Sequence, residues 1–149
     1  MRKILAATDG SSSSTEAIQF AVELAAEHDA ELIVVHVVPR LDIVPANGFG
    51  IGGAFAHEPT TEDHELLDDT AALASEHGVV STIALLRGDT VDEIVAFADS
   101  HDVDMIVVGS RGQGAVAATL LGSVSRGVLR ETRRPVVVVR AGVPVGAAR

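Results

Sequence analysis

Five short aliphatic runs alternate with stretches of helical period, and that alternation restricts the fold more than any other feature of the chain. The runs are Lys3 to Thr8 (KILAAT), Glu31 to Val38 (ELIVVHVV), Val79 to Leu86, Ile106 to Val108 and Val136 to Val139. Each is too short for a buried helix, and β-branched residues dominate, as in strands covered on both faces. Between them, apolar residues recur with helical spacing. Ile18, Ala21, Val22 and Ala25 mark one helical face, Leu67, Ala71 and Ala74 a second, and Val91, Ile94, Val95 and Ala98 a third. Strands joined through helices pair in parallel by right-handed crossovers, which places helices on both faces of one sheet. The predicted class is α/β with a five-stranded parallel sheet.

Punctuation supports these elements. Ser13-x-x-Glu16 and Thr90-x-x-Glu93 match capping boxes, Gly78 stops the helix that begins near Thr60, and Pro39 and Pro135 bound strands. After Pro39 about twenty residues, carrying Gly48, Gly50, Gly52 and Gly53 around Phe49, Ile51 and Phe55, read as a connection without regular structure. Such a segment is either a lid or partner-contact loop, or a flexible insertion over about residues 40–59 with a few apolar anchors. Glu62, Asp63, Glu65, Asp68 and Asp69 lack the spacing of a calcium loop and read as a solvated helix face.

At 149 residues the chain is most simply one domain, with a loose tail over about residues 141–149. Its core is aliphatic, because there are four Phe and no Trp or Tyr. No apolar run reaches the roughly 20 residues of a membrane span, and no secretory leader is visible at the N-terminus, so a soluble, cytoplasmic protein is expected. The absence of Cys fits that compartment and excludes disulfides and thiolate chemistry. A net charge of −10, with Lys3 as the one lysine, argues against nucleic-acid partners, which need a positive footprint. It also predicts a halophile-like fold that salt stabilises, since screening relieves self-repulsion.

The chemistry concentrates in Met105 to Ser125 (MIVVGSRGQGAVAATLLGSVS). Glycines at 109, 112, 114 and 122 let a ligand approach the main chain, so that successive amides can converge on an anion. Ser123 is the expected N-cap of the following helix, adding a hydroxyl and the positive end of the helix dipole. Other nucleotide loops are disfavoured. The first strand-to-helix turn, DGSSSS, has one glycine, and no Gly-Lys-Ser/Thr occurs. Gly112-x-Gly114-x-x-Ala117 matches a dinucleotide pattern only loosely. No two histidines stand three or four apart, so a helical zinc pair is missing, and His36 reads as a satisfied core or cleft histidine. No Gly-x-Ser-x-Gly elbow accompanies the serines. No catalytic or metal-ligating residue is assigned.

Gly109-x-x-Gly112, nine residues, then Gly122-Ser123 resembles the nucleotide-binding signature of the universal stress protein family, in its ATP-binding branch. KILAATDGS, ELIVVHVV, LLGSVSRGVL and RRPVVVV extend the resemblance over nearly the whole chain. It implies a doubly wound sheet of strand order 3-2-1-4-5, with the first and fourth strands adjacent at the switch point. It implies an adenine nucleotide, ATP or AMP, with magnesium or manganese arriving on the phosphates. Asp9 would meet the ribose or the base side, Ala7 and Thr8 would line the same edge, and the Val37 main chain would meet adenine. Gly109, Ser110, Arg111, Gly112, Gln113, Gly114 and Ala115, with Gly122, Ser123, Val124 and Ser125, would hold ribose and phosphates. Ala7 departs from members with proline at that position. The resemblance also implies a homodimer through the Val136 to Val139 edge.

The function expected on this basis is nucleotide binding by a dimeric regulatory or stress-survival module, acting on an unidentified protein partner. Binding is favoured over efficient catalysis. A slow ATPase or nucleotide-transfer enzyme needs cationic groups beyond Arg111, and a ligand-free interaction dimer leaves the glycine motif without a purpose.

Overall fold

The computed structural model describes residues 1–50, 52–111 and 121–142. Gly112, Gln113, Gly114 and Ala115 of the predicted loop, and most of the predicted loose tail, lie outside the described residues.

Among the described residues eleven elements follow one another: β1 (Lys3–Ala7), α1 (Ser12–His28), β2 (Glu31–Val38), β3 (Leu41–Val44), β4 (Gly53–Ala56), α2 (Thr61–Glu76), β5 (Ser81–Arg87), α3 (Thr90–Ser100), β6 (Met105–Gly109), α4 (Ser123–Glu131) and β7 (Val136–Val139). The five aliphatic runs form one sheet of order β5-β2-β1-β6-β7, every pair parallel. This is the 3-2-1-4-5 order, with β1 and β6 adjacent at the switch point. Leu5 sits opposite Ile33 on one side and Ile106 on the other.

Alternation along the strands separates two cores. Ile4, Ala6, Leu32, Val34 and Val107 pack with Ala17, Ile18, Ala21, Val22 and Ala25 of α1 and with Leu67 and Ala74 of α2. Leu5, Ile33, Val35, Ile106 and Val108 pack with Ile94 and Ala98 of α3 and Val128 of α4. The α1 face that period predicts is the face that is buried; on α2 Thr70 rather than Ala71 completes the stripe, and on α3 Ile94 and Ala98 are buried while Val91 and Val95 are half-buried.

Three caps differ from the sequence reading. The N-cap of α1 is Ser11, whose hydroxyl accepts the Ser14 N–H, while Ser13 lies inside the helix and is buried. The α3 cap is Asp89, not Thr90, because Asp89 takes the extended backbone and accepts from the Asp92 amide. At α4 the cap is Gly122, at φ −75° and ψ 172°, so Ser123 becomes the first helical residue and the cap position carries no side chain.

The segment after Pro39 is not devoid of structure. β3 and β4 pair antiparallel, from Leu41 opposite Ala56 to Val44 opposite Gly53. Arg87 fastens the base of this ribbon by donating through Nη2 to the His57 carbonyl, and His57 meets Asp42 at 2.8 Å. Leu41, Ile43, Val44 and Phe55 are exposed on it.

Candidate functional site

Where β1 and β6 diverge, the carboxyl ends of the central strands open into a cavity of about 250 Å³. Its wall is built by Ala7, Thr8 and Asp9 after β1, Ser14 of α1, Val37 of β2, Thr90 and Ile94 of α3, Val108, Gly109 and Arg111 after β6, and Val124 and Ser125 of α4. Ligand crevices of doubly wound sheets lie at this place. The first turns of three helices contribute to the wall, and helix N-termini carry unpaired amides and a partial positive charge. At α4 the N-cap residue, Gly122, brings no side chain to those amides.

The β2 main chain faces the cavity for a reason of register. Thr8 N donates to Val35 O, and Gly88 N donates to Val38 O. Residues of a parallel strand alternate in the neighbour they address, so the N–H and C=O of Val37 point toward β1. The β1–β2 ladder ends at Ala7 opposite Val35. Val37 therefore presents its amide and carbonyl beyond the end of β1, beside the cavity.

A hydroxyl network holds the rim. Asp9 Oδ1 accepts the Ser11 N–H at 2.9 Å, so Asp9 shapes the turn into α1 as well as lining the cavity. Ser14 Oγ lies 3.2 Å from Thr8 Oγ1 and accepts the Asp9 N–H at 3.3 Å. Ser13 Oγ accepts the Arg111 N–H at 3.2 Å and lies 3.4 Å from both Ser110 Oγ and the Val139 carbonyl. Ser125 Oγ donates to Ser110 O and Gly122 O at 3.2 and 3.0 Å, tying α4 back to the end of β6.

Of the residues expected from the sequence, Ala7, Thr8, Asp9, Val37, Gly109, Arg111, Val124 and Ser125 converge on this cavity. Ser110 is buried behind it, bonded to Val139 O through its amide. Gly122 and Ser123 open α4 next to the wall without lining it. Ser14, Thr90, Ile94 and Val108 line it unforeseen. Thr90 and Ile94 were discoverable once strand order was in hand, because α3 begins at the carboxyl end of β5, on the same edge of the sheet.

One of the acidic α2 residues does not belong to a solvated face. Asp63 Oδ1 lies 2.7 Å from His36 Nε2, and its Oδ2 accepts the Thr60 N–H at 2.8 Å. The Thr60 amide foremost, then the His36 ring and the Thr60 hydroxyl, hold the Asp63 carboxyl below the ordinary carboxylate range, against the opposing effect of burial. His36 is 8% exposed and is satisfied, as its sequence context suggested. Among the described residues no group of three or more His, Asp or Glu is placed to hold a metal ion, and no helix is long and apolar enough to cross a membrane.

A model described as the universal stress protein family matches residues 1–140. A universal stress protein of Methanocaldococcus jannaschii is 35% identical over 142 residues, which span 93% of this chain and 82% of that protein. A universal stress protein solved in complex with cAMP superposes with a TM-score of 0.71 at 27% identity, covering 95% of this chain and 98% of that one. The universal stress protein of Archaeoglobus fulgidus in complex with dAMP superposes with a TM-score of 0.65 at 25% identity, over 93% and 97% of the two chains. The match spans the chain from β1 through β7, and this chain belongs to the universal stress protein family.

Proposed function

We propose that the cavity binds an adenine nucleotide, ATP in the first instance, and that its occupancy is what this chain reports to a partner. The observation that carries this reading is the Val37 main chain, turned past the end of β1 toward the cavity. A paired N–H and C=O on one strand edge match the adjacent acceptor and donor on the edge of adenine. Asp9 then meets the ribose hydroxyls. Gly109, Arg111 and the uncapped first turn of α4 receive the phosphates, with Gly112, Gln113, Gly114 and Ala115 completing the loop. Relatives in complex with cAMP and dAMP support an adenine ligand. Magnesium or manganese accompanies the phosphates, bound through them rather than by a protein cluster.

Binding rather than fast turnover follows from the wall's composition, since Arg111 is the one cationic side chain among the described residues lining it. The protein acts in the cytoplasm as a homodimer joined through β7, in a regulatory or stress-survival role, and does not engage nucleic acid. Titration with ATP, followed by backbone amide resonances, tests the site. Val37, Gly109 and Val124 are expected to shift together while the β3–β4 ribbon stays unmoved. Shifts confined to other surfaces contradict the assignment.

A further inference from the structure

We propose that Thr90 sets the base specificity of the cavity: its hydroxyl donates to a purine ring nitrogen and so separates ATP from CTP. This rests on the nucleotide reading above and names what that site selects.

Thr8, Ser14, Thr90 and Ser125 bring hydroxyls to the cavity wall. Three of them are engaged within the protein. Thr8 Oγ1 accepts the Gly10 N–H at 3.3 Å and lies 3.2 Å from Ser14 Oγ, which accepts the Asp9 N–H and donates to Ser11 O at 3.0 Å. Ser125 Oγ donates to Ser110 O and Gly122 O. Thr90 Oγ1 has no partner among the described residues. Thr90 is half-buried, and its oxygen is open to whatever occupies the cavity.

The local sequence explains why this hydroxyl is free. Thr90-x-x-Glu93 has the form of a capping box, yet Asp89 takes the cap. Its side chain accepts the Asp92 N–H at 3.0 Å, and its carbonyl accepts the Glu93 N–H at 2.9 Å. The Glu93 side chain folds over Gly88 instead. Thr90 thus becomes the first residue of α3. Thr90 and Ile94, one turn apart, both line the cavity, so they share the helix face turned toward it. The inner side of α3 is otherwise apolar, with Val91, Ile94 and Ala98 packed in the core. A valine would fill the same shape, and the hydroxyl is the difference.

The fold puts that hydroxyl at the base end of the site. Arg87, the last residue of β5, pairs with Val38, and Gly88 N donates to Val38 O at 2.9 Å, so α3 starts beside the Val37 main chain. Gly109 and Arg111 stand on the far side of β1, at the end of β6.

Val37 alone does not choose one base. Its N–H and C=O suit an acceptor next to an amino group, which adenine and cytosine both present. Guanine and uracil present a donor beside a carbonyl and are refused. Adenine keeps two further ring acceptors, N3 and N7. At the corresponding places cytosine carries the sugar or a hydrogen. A hydroxyl donor beside the base is therefore matched by adenine and left unmatched by cytosine.

Calorimetry of ATP and CTP with the native protein, Thr90→Ser and Thr90→Val tests this, with melting curves to establish that each variant is folded. Valine keeps the shape and removes the donor. The ratio of ATP to CTP affinity is expected to fall about tenfold in Thr90→Val, the scale of one hydrogen bond, through ATP alone, and to be retained in Thr90→Ser. Of 3-deaza-ATP and 7-deaza-ATP, the one that lacks the partner nitrogen is expected to bind the native protein and Thr90→Val alike. An unchanged ratio in folded Thr90→Val overturns the proposal and leaves the nucleotide site standing, as does a loss common to ATP and CTP. Should Thr90→Val not fold, the native protein decides: one deaza analogue is expected to bind about tenfold more weakly than ATP, and equal binding of all three overturns the proposal. No binding of ATP by the native protein overturns both readings.

Discussion

Gly109, the last residue of β6, touches Ser13 in the first turn of α1 so closely that a Cβ on it would stand 2.7 Å from both the Ser13 carbonyl carbon and its hydroxyl. Real Cβ atoms do not approach main chain at that distance. The contact is what lets Ser13 Oγ reach the Arg111 amide and fix the direction in which the loop leaves the sheet. Gly109→Ala must push α1 away from β6, and about 1 to 3 kcal/mol of stability is lost, the usual range for overpacking. Urea unfolding measures this, and ATP affinity is expected to fall with it. A fully stable variant contradicts the contact.

The start of β1 is held by a carboxylate at the entrance to β6. Asp104 Oδ2 accepts the Arg2 and Lys3 amides at 2.7 and 2.9 Å, and these bonds, the Arg2 amide foremost, keep its carboxyl below the ordinary value of 3.8. A carboxyl depressed in the folded state contributes stability that is complete above the unfolded value, about 4, and is lost as pH falls through the folded one. Asp104→Asn is therefore expected to be less stable at neutral pH and to approach the native protein as pH falls through the depressed folded value of the carboxyl. Urea midpoints against pH decide it, and curves separated by a constant amount contradict it.

Register also identifies which valines of β7 face outward. Ile106 N donates to Pro135 O and Ser110 N to Val139 O, so odd residues address β6 and the main-chain groups of Val136 and Val138 point away from the sheet. An open parallel edge of this kind is a template for another chain. Val138→Pro removes an outward N–H without breaking the β6 ladder. Light scattering is expected to show a dimer for the native chain and a shift to monomer for the variant. A native monomer at micromolar concentration contradicts the β7 interface.

Much of this architecture was readable because it depends on local pattern. The sheet strands follow from short aliphatic runs, and the Ile18, Ala21, Val22 and Ala25 stripe follows from period alone. What failed depends on contacts distant in sequence or on choices among like residues. Four consecutive serines stand at the start of α1, and while Ser11 takes the extended backbone of the cap, Ser13 lies within reach of Ser110, 97 residues away. Asp63 looked like one acid among five until α2 was placed against His36. The ribbon of Leu41–Val44 and Gly53–Ala56 has four-residue strands, too short for a period to show. Strand order came from family resemblance, not spacing, and with it the place of Thr90 and Ile94.

The charge of −10 is spread over a chain with 21 acidic and 11 basic residues, and its self-repulsion opposes the compact state. Raising KCl to about 1 M shortens the screening length to about 3 Å. The melting temperature is expected to rise from dilute buffer to that concentration. An unchanged midpoint contradicts a halophile-like fold.

The central claim, a phosphate-receiving cavity at the first turn of α4, is tested most directly by calorimetry of ATP with magnesium at high KCl, on the native protein and on Gly122→Asp. An aspartate suits the N-cap position, so the helix survives while its carboxylate takes the amides that the phosphates need. Micromolar binding by the native chain that is lost in a folded Gly122→Asp variant is the predicted result. Equal binding by both, or no heat from native protein stripped of co-purified nucleotide, contradicts it.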